Sequence, residues 1–349
     1  MASQSETGKS VVYYAPGDVR IEDMKPIDST GDGEVTIRVE ACAICGTDIK
    51  SYLKGNPRIK PPMIMGHEFC GEIIEVGENV EGYKAGQRVT MATTIGCGDC
   101  IYCNQGRTNL CRNAEAMGFH YPGAMAPYIK IPAKAVRQGH LVDVGDLDSE
   151  LGALGEPLSC VINGLSRVPM EKIKSALVLG LGPLGMLHAV TIKQKGVPDV
   201  CCVEFPGRRA EMAREMGFTV IDPADIDEKY LDLSQGEGFD LVVITAPSNQ
   251  VQSKAMMYAK KGGYVSYFAS LPVGDEFITI NSRTLHYNEL IVYGTSDSTV
   301  EHVKEAVRML RNNPEAYRPL ITHKLSMSDF HKAMDIIKGG SAVKVVLLP

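Results

Sequence analysis

The chain has 349 residues, more than one ordinary core accommodates, so two domains are expected. Its formal net charge of -6 offers nothing to nucleic acid or to an anionic membrane surface, and no apolar run reaches the roughly 18 residues that span a bilayer. The segment Met1–Ser10 is polar and lacks the apolar stretch of a signal peptide, which places the protein in the cytoplasm; there, ten cysteines read as metal ligands or buried thiols before disulfides.

The first elements read as antiparallel strands. Val11–Tyr14 is a β-branched and aromatic run closed by the turn Ala15-Pro16-Gly17-Asp18, and Glu34–Glu40 alternates with Val35, Ile37 and Val39 on one face. Glycine and proline punctuate the chain up to about Pro157. Near Ser175 the pattern changes. Ala176–Gly180 is an apolar strand, followed by a glycine loop and a helix over Pro183–Lys195. Val200–Glu204 and Arg208–Met216 repeat the strand and the helix. Phe239–Thr245 and Tyr264–Phe268 predict further buried strands, with helical Asn249–Lys260 between them. This alternation predicts an α/β domain with a doubly wound parallel sheet. Two amphipathic helices, Val300–Asn312 and Met327–Lys338, and an apolar strand, Val343–Leu348, complete the chain, which is expected to fold back onto the first domain.

Gly180-Leu181-Gly182-Pro183-Leu184-Gly185 fits G-x-G-x-x-G between a strand and a helix, where close backbone approach and the helix N-terminus suit a pyrophosphate. Glu204 ends the next strand, 19 residues after the last glycine. A carboxylate there accepts hydrogen bonds from a ribose hydroxyl and repels a 2′-phosphate, which points to NAD; Arg208 and Arg209 nearby pull the other way.

Cys97-x-x-Cys100-x-x-Cys103-x7-Cys111 supplies four thiolates, enough to close a tetrahedral zinc shell with a structural role; an iron–sulfur cluster is the competing metal reading. A second constellation is looser. Cys45-Gly46-Thr47-Asp48, Gly66-His67-Glu68 and Gly155-Glu156-Pro157 hold zinc-ligand types, but spacing alone does not unite them. Cys42-x-x-Cys45 reads equally as a redox pair and His67 as a core histidine.

Those segments, with Val76-Gly77, Gly86-Gln87-Arg88-Val89, Glu156-Pro157-Leu158, the four-cysteine lobe and Gly180–Gly185, occur in an order and combination that resembles the zinc-dependent medium-chain dehydrogenases, and among them the sorbitol and polyol branch. The resemblance implies a GroES-like β-rich catalytic domain, residues 1–155 and 295–349 with the zinc lobe at 96–112, into which a Rossmann NAD-binding domain, 156–294, is inserted, with the active site in the cleft between them. It implies Cys45, His67 and Glu156 as catalytic zinc ligands and Glu68 as a glutamate that exchanges with Glu156, beside one structural zinc. Glu68 adjoins His67, and neighbours on a regular strand face opposite ways, so it ligates only if the backbone bends. Lys50 stands where several relatives carry a proton-relaying histidine, which leaves Thr47 as the first relay group. Pro127 replaces a residue that in relatives donates a backbone bond. Cys42, Cys70, Cys160, Cys201 and Cys202 are expected to be ordinary buried thiols.

The implied reaction is hydride transfer from a small polyol or sugar alcohol to NAD, reversibly, in a homodimer or homotetramer. Gly180, Gly182, Pro183, Leu184, Gly185, Glu204 and Arg209 would hold the cofactor; Ser51, Phe119, His120, Thr295, Ser296 and Asp297 fall where relatives contact substrate. The competing functions are a threonine-type amino-alcohol dehydrogenase and a non-catalytic NAD(P)H-binding relative.

Overall fold

The computed structural model describes residues 8–24 and 27–349. Met1–Thr7, most of the polar N-terminal stretch, lie outside the described residues. The chain forms two compact units: residues 1–160, 297–340 and 344–349, and residues 161–296 with 341–343. Among the described residues no helix is long and apolar enough to cross a membrane.

The first unit is β-rich. Its main sheet runs Leu141–Asp143, Arg88–Met91, Glu68–Val76, Val35–Ala43, Lys344–Leu348, Ile321–Ser326, and Tyr128–Ile131 also pairs with Val35–Ala43. Val35, Ile37 and Val39 are buried, as their alternation predicts. Val35–Ala43 lies antiparallel to Glu68–Val76, with Ala43 opposite Glu68. On its other side Ala43 faces Val346, antiparallel again. This register carries the site, because Cys45, Glu68 and Lys344 all stand within two residues of the Ala43 row.

The second unit is a six-stranded parallel sheet in the order Thr219–Ile221, Asp199–Val203, Ser175–Leu179, Phe239–Ile244, Ala259–Tyr267, Ile291–Gly294. Numbered within the unit this is 3-2-1-4-5-6, the doubly wound order. The central strands are mostly apolar, as strands covered on both faces tend to be; Phe239–Ile244 has no exposed residue, and its one polar member, the buried Asp240, accepts from the backbone N–H groups of Lys174 and Ser175. The glycine loop follows Ser175–Leu179, where the strand order reverses.

Several element ends differ from the sequence reading. Helix Asn249–Lys254 stops short of Lys260; a 3-10 turn, Ala255–Tyr258, follows, and the next strand already begins at Ala259. Lys260, Lys261 and two glycines disguise that strand's first half. Met327–Asp329 is likewise a 3-10 turn ahead of helix Phe330–Lys338. Thr219–Ile221 and Ile291–Gly294, the two sheet edges, are too short for periodicity to reveal.

Candidate active site

Cys45 caps helix Gly46–Lys54: its backbone N–H donates to Asp48 Oδ2 (2.9 Å), while the Thr47 N–H donates to its Sγ (3.4 Å). His67 precedes strand Glu68–Val76 and follows Gly66, whose φ is +94°. A side chain at Gly66 would meet Cys42 Sγ and Met125 Cγ within 3 Å, so the bend needs glycine. The bend removes the strand objection to Glu68. Ligand atoms of Cys45, His67 and Glu68 all lie within 4.8 Å of one another.

Asp48, Glu68 and Glu156 are buried, and one cation, Lys344, is buried with them, at 3% exposure. The Lys344 ammonium pairs with Glu68 and donates to the Ile44 carbonyl (3.2 Å). His67 Nδ1 lies 3.7 Å from Asp48 Oδ1 and makes no hydrogen bond. Burial, then the nearby Glu68 charge, pushes the Cys45 thiol up to about 12. Burial also raises Glu156 well above the carboxylate range and raises Asp48. Burial alone would lower His67, but the carboxylates of Asp48, Glu156 and Glu68 outweigh it and hold the imidazole up. The site thus gathers more buried acid than Lys344 neutralises. Buried charges are paired or bind metal, and a divalent cation suits this donor set of thiolate, imidazole and carboxylate.

Glu156, in the first turn of helix Gly155–Leu165, converges instead with Cys160 and Asp297, their ligand atoms within 4.8 Å of one another. Cys160 is therefore not an ordinary core thiol: it is half-buried and its Sγ lies 3.8 Å from Glu156 Oε1. The other four are buried thiols as expected, and Cys42 does not join Cys45.

In the lobe, the Sγ atoms of Cys97, Cys100, Cys103 and Cys111 lie within 4.8 Å of one another. The Cys97–Cys103 and Cys100–Cys103 separations are 3.9 and 3.6 Å. A tetrahedron with zinc–sulfur bonds of about 2.3 Å has edges of about 3.8 Å, so the four thiols fit that shell. Backbone N–H groups of Cys97 and Asn113 donate to Cys111 Sγ.

The expected substrate residues are mixed. Phe119 packs its ring 5.3 Å from the His67 ring. Ser51 is buried with its Oγ on Asn56 (3.4 Å), and His120 is exposed, its Nδ1 accepting from the Ala116 N–H (3.1 Å). Asp297 accepts from the Thr94 hydroxyl, Thr295 Oγ1 is buried without a hydrogen-bond partner, and Ser296 is exposed.

In the second unit Gly180, Gly182, Glu204, Phe205 and Arg209 line a cavity of about 400 Å³. Pro183 and Leu184 begin helix Pro183–Gln194, whose N-cap is Gly182. Gly185 packs directly on the Gly180 carbonyl. The Glu204 carboxylate accepts from the Leu181 N–H (2.6 Å) and its neighbour's, Phe205 (3.0 Å). Arg209 faces this cavity and donates to the Ala342 carbonyl, whereas Arg208 is tied to Glu215 (2.9 Å).

Asp48 and Lys344 were not anticipated as partners of the ligand set. The signal for Lys344 was a lone charge inside the apolar run Ala342–Leu348.

Residues 31–140 match the Alcohol dehydrogenase GroES-like domain, and residues 149–348 the Glucose dehydrogenase C-terminus. The chain is 32% identical to the L-threonine 3-dehydrogenase of Caldanaerobacter subterraneus subsp. tengcongensis, covering 93% of this chain and 94% of the relative. It is 31% identical to the sorbitol dehydrogenase of Halalkalibacterium halodurans with the same coverage. The 2R,3R-butanediol dehydrogenase of Bacillus subtilis superposes with a TM-score of 0.88 at 26% identity, over 98% of this chain and 99% of that one. A zinc-binding dehydrogenase from Sinorhizobium meliloti 1021 bound to NADP superposes with a TM-score of 0.88 at 27% identity, over 99% and 100%.

Proposed function

Since the chain belongs to the zinc-dependent medium-chain dehydrogenase family of alcohol dehydrogenases, we propose that it oxidises a secondary alcohol flanked by a second hydroxyl, as in a small polyol or sugar alcohol, with NAD as hydride acceptor. The carrying observation is the concentration of buried carboxylate around Cys45 and His67. Glu156 and Asp297 offer acceptors to a neighbouring substrate hydroxyl that a thiolate at the same place would serve poorly. The sorbitol dehydrogenase relative supports the same reading.

Cys45, His67 and one of Glu68 and Glu156 would hold a zinc that supplies a Lewis acid, lowering the pKa of an alcohol hydroxyl. Glu68 is the convergent carboxylate here and already carries Lys344; Glu156 is the second candidate. Asp48 faces the His67 ring and orients it, as a carboxylate behind a ligating imidazole does. Thr47 takes the proton first. Lys50 is exposed on the same helix and stands outside the relay. The four-cysteine lobe would hold a second, structural zinc. Glu204 selects NAD over NADP by repelling a 2′-phosphate, with Arg209 as the opposing influence.

The cytoplasm suits ten free cysteines. A homodimer or homotetramer fits the open sheet edge, Ile291–Gly294, where Ile291 and Val292 are exposed.

The second reading, L-threonine 3-oxidation, has its own support: the Caldanaerobacter relative carries that name, and an ammonium beside the carbinol would meet the same carboxylates. A screen of polyols, alkanols and L-threonine with NAD, read as NADH absorbance, separates the cases. Polyols should exceed alkanols of equal length by at least about tenfold in kcat/KM, about 1.4 kcal/mol. Butan-2-ol outperforming every polyol would overturn the assignment, and oxidation of L-threonine alone would establish the second reading.

A further inference from the structure

Between Asp48 and Glu68 the chain carries Lys50, Lys54, Arg58 and Lys60 and no acidic residue. None of these four cations forms an ion pair among the described residues, in a chain whose net charge is -6. One of them stands beside the candidate site. The Arg58 guanidinium lies over the Phe119 ring, Cζ 4.6 Å from its centroid, and that ring lies 5.3 Å from His67. The two contacts in series put Arg58 within about 10 Å of the imidazole.

Its loop is braced. Asn56 Oδ1 accepts the Arg58 backbone N–H (3.1 Å), and Ile59 is buried with its N–H on the Asn56 carbonyl (3.1 Å). Arg58 is exposed, and beyond its contact with the Phe119 ring no side-chain hydrogen bond or ion pair among the described residues uses its guanidinium N–H groups. A planar fork of donors, held near the Phe119 ring and without a polar partner, matches an anion that accepts two parallel hydrogen bonds. A neutral diol would leave it idle.

Resting on the alcohol-oxidising reading, we infer that the substrate bears an anionic group, a carboxylate or a phosphate monoester, a short carbon chain away from the reacting carbinol, and that Arg58 is the specificity-determining residue that receives it. The neighbouring lysines raise the local concentration of such a substrate by long-range attraction, which salt weakens.

Two matched pairs of alcohols test this with the zinc-loaded enzyme and NAD: glycerol against sn-glycerol 3-phosphate, and L-threoninol against L-threonine. The first pair reports a phosphate and the second a carboxylate. In at least one pair the anionic member should have the higher kcat/KM by about tenfold or more. In Arg58→Gln that ratio should fall by about tenfold or more, with the loss in KM rather than kcat, and Arg58→Lys should restore part of it. Raising salt from roughly 50 to 500 mM should depress the anionic member selectively. Preference for the neutral member in both pairs, or a ratio unmoved in Arg58→Gln, overturns the anion site alone if neutral polyols are still oxidised. Failure to oxidise any alcohol would overturn the alcohol-oxidising reading and the anion site with it.

Discussion

Gly185 and Gly182 belong to the same loop but should fail differently when each becomes alanine. A Cβ at Gly185 would lie 2.0 Å from the Gly180 carbonyl oxygen and 2.8 Å from Thr245 Oγ1. A carbon–oxygen contact of about 3.3 Å is the ordinary limit, so helix Pro183–Gln194 must retreat from its strand by about 1.3 Å. Thr245 Oγ1 already donates to the Gly180 carbonyl (2.7 Å), so neither obstacle can simply swing away. Overpacking costs about 1–3 kcal/mol, and backbone against backbone belongs at the upper end. For a unit of this size, about 3 kcal/mol lowers the melting temperature by roughly 6–12 °C. A Cβ at Gly182 would meet nothing within 4 Å, and its φ of -62° is open to any residue. Gly182→Ala should therefore melt like the parent, yet bind NADH at least about tenfold more weakly, because a methyl group stands where the backbone must approach the pyrophosphate. Calorimetry and NADH fluorescence titration read the two effects separately. A Gly185→Ala protein melting within about 1 °C of the parent, or a Gly182→Ala protein with parental NADH affinity, would refute the reasoning.

Other changes have equally definite outcomes. Cys100→Ser should lower the zinc content measured by elemental analysis from two ions per chain to one and reduce thermal stability, since a structural zinc contributes folding energy; unchanged zinc would refute the lobe assignment. Glu204→Ala should narrow the preference for NAD over NADP, and further substituting Arg209, not Arg208, should restore it, as kcat/KM for both cofactors would show. Lys344→Met leaves Glu68 buried beside other carboxylates and should cost about 3–5 kcal/mol in urea unfolding, with Lys344→Arg much milder. His188 is fully buried, with Nδ1 on the Leu184 carbonyl, and burial brings it down to about 4. Because the unfolded chain takes up that proton first, stability is complete above about pH 6.5 and is lost on acidification toward pH 4, by about 3 kcal/mol; His188→Leu should flatten that part of a pH–stability profile.

Local chemistry was the most legible part of the sequence. Cys97 to Cys111 and Gly180 to Gly185 act through spacings of a few residues, and the thiol cluster and the helix-opening loop follow directly. The strand–helix alternation announced the parallel sheet for the same reason. Spacing did not unite Cys45 with His67, which only the family resemblance brought together, and Lys344 was not legible at all, because their meeting depends on the register of three strands distant in sequence. Periodicity assigns a strand its faces but not its neighbours. Glu68 shows a second limit: the objection from strand geometry was sound, and only the bend at Gly66 removes it. Arg208 pairs with Glu215, seven residues on, a contact that no motif around the glycine loop announces.

The pairing of Glu68 with Lys344 also sets a timetable for synthesis. The two residues are 276 positions apart in the chain. At roughly 5–20 residues per second, Glu68 is translated about 14–55 s before the lysine that neutralises it. Throughout that interval the strand pair Val35–Ala43 and Glu68–Val76 has its carboxylate at one end and no countercharge on its open side. The sheet around the site is therefore completed after the second unit has been made, and the nascent chain holds an open strand edge until then.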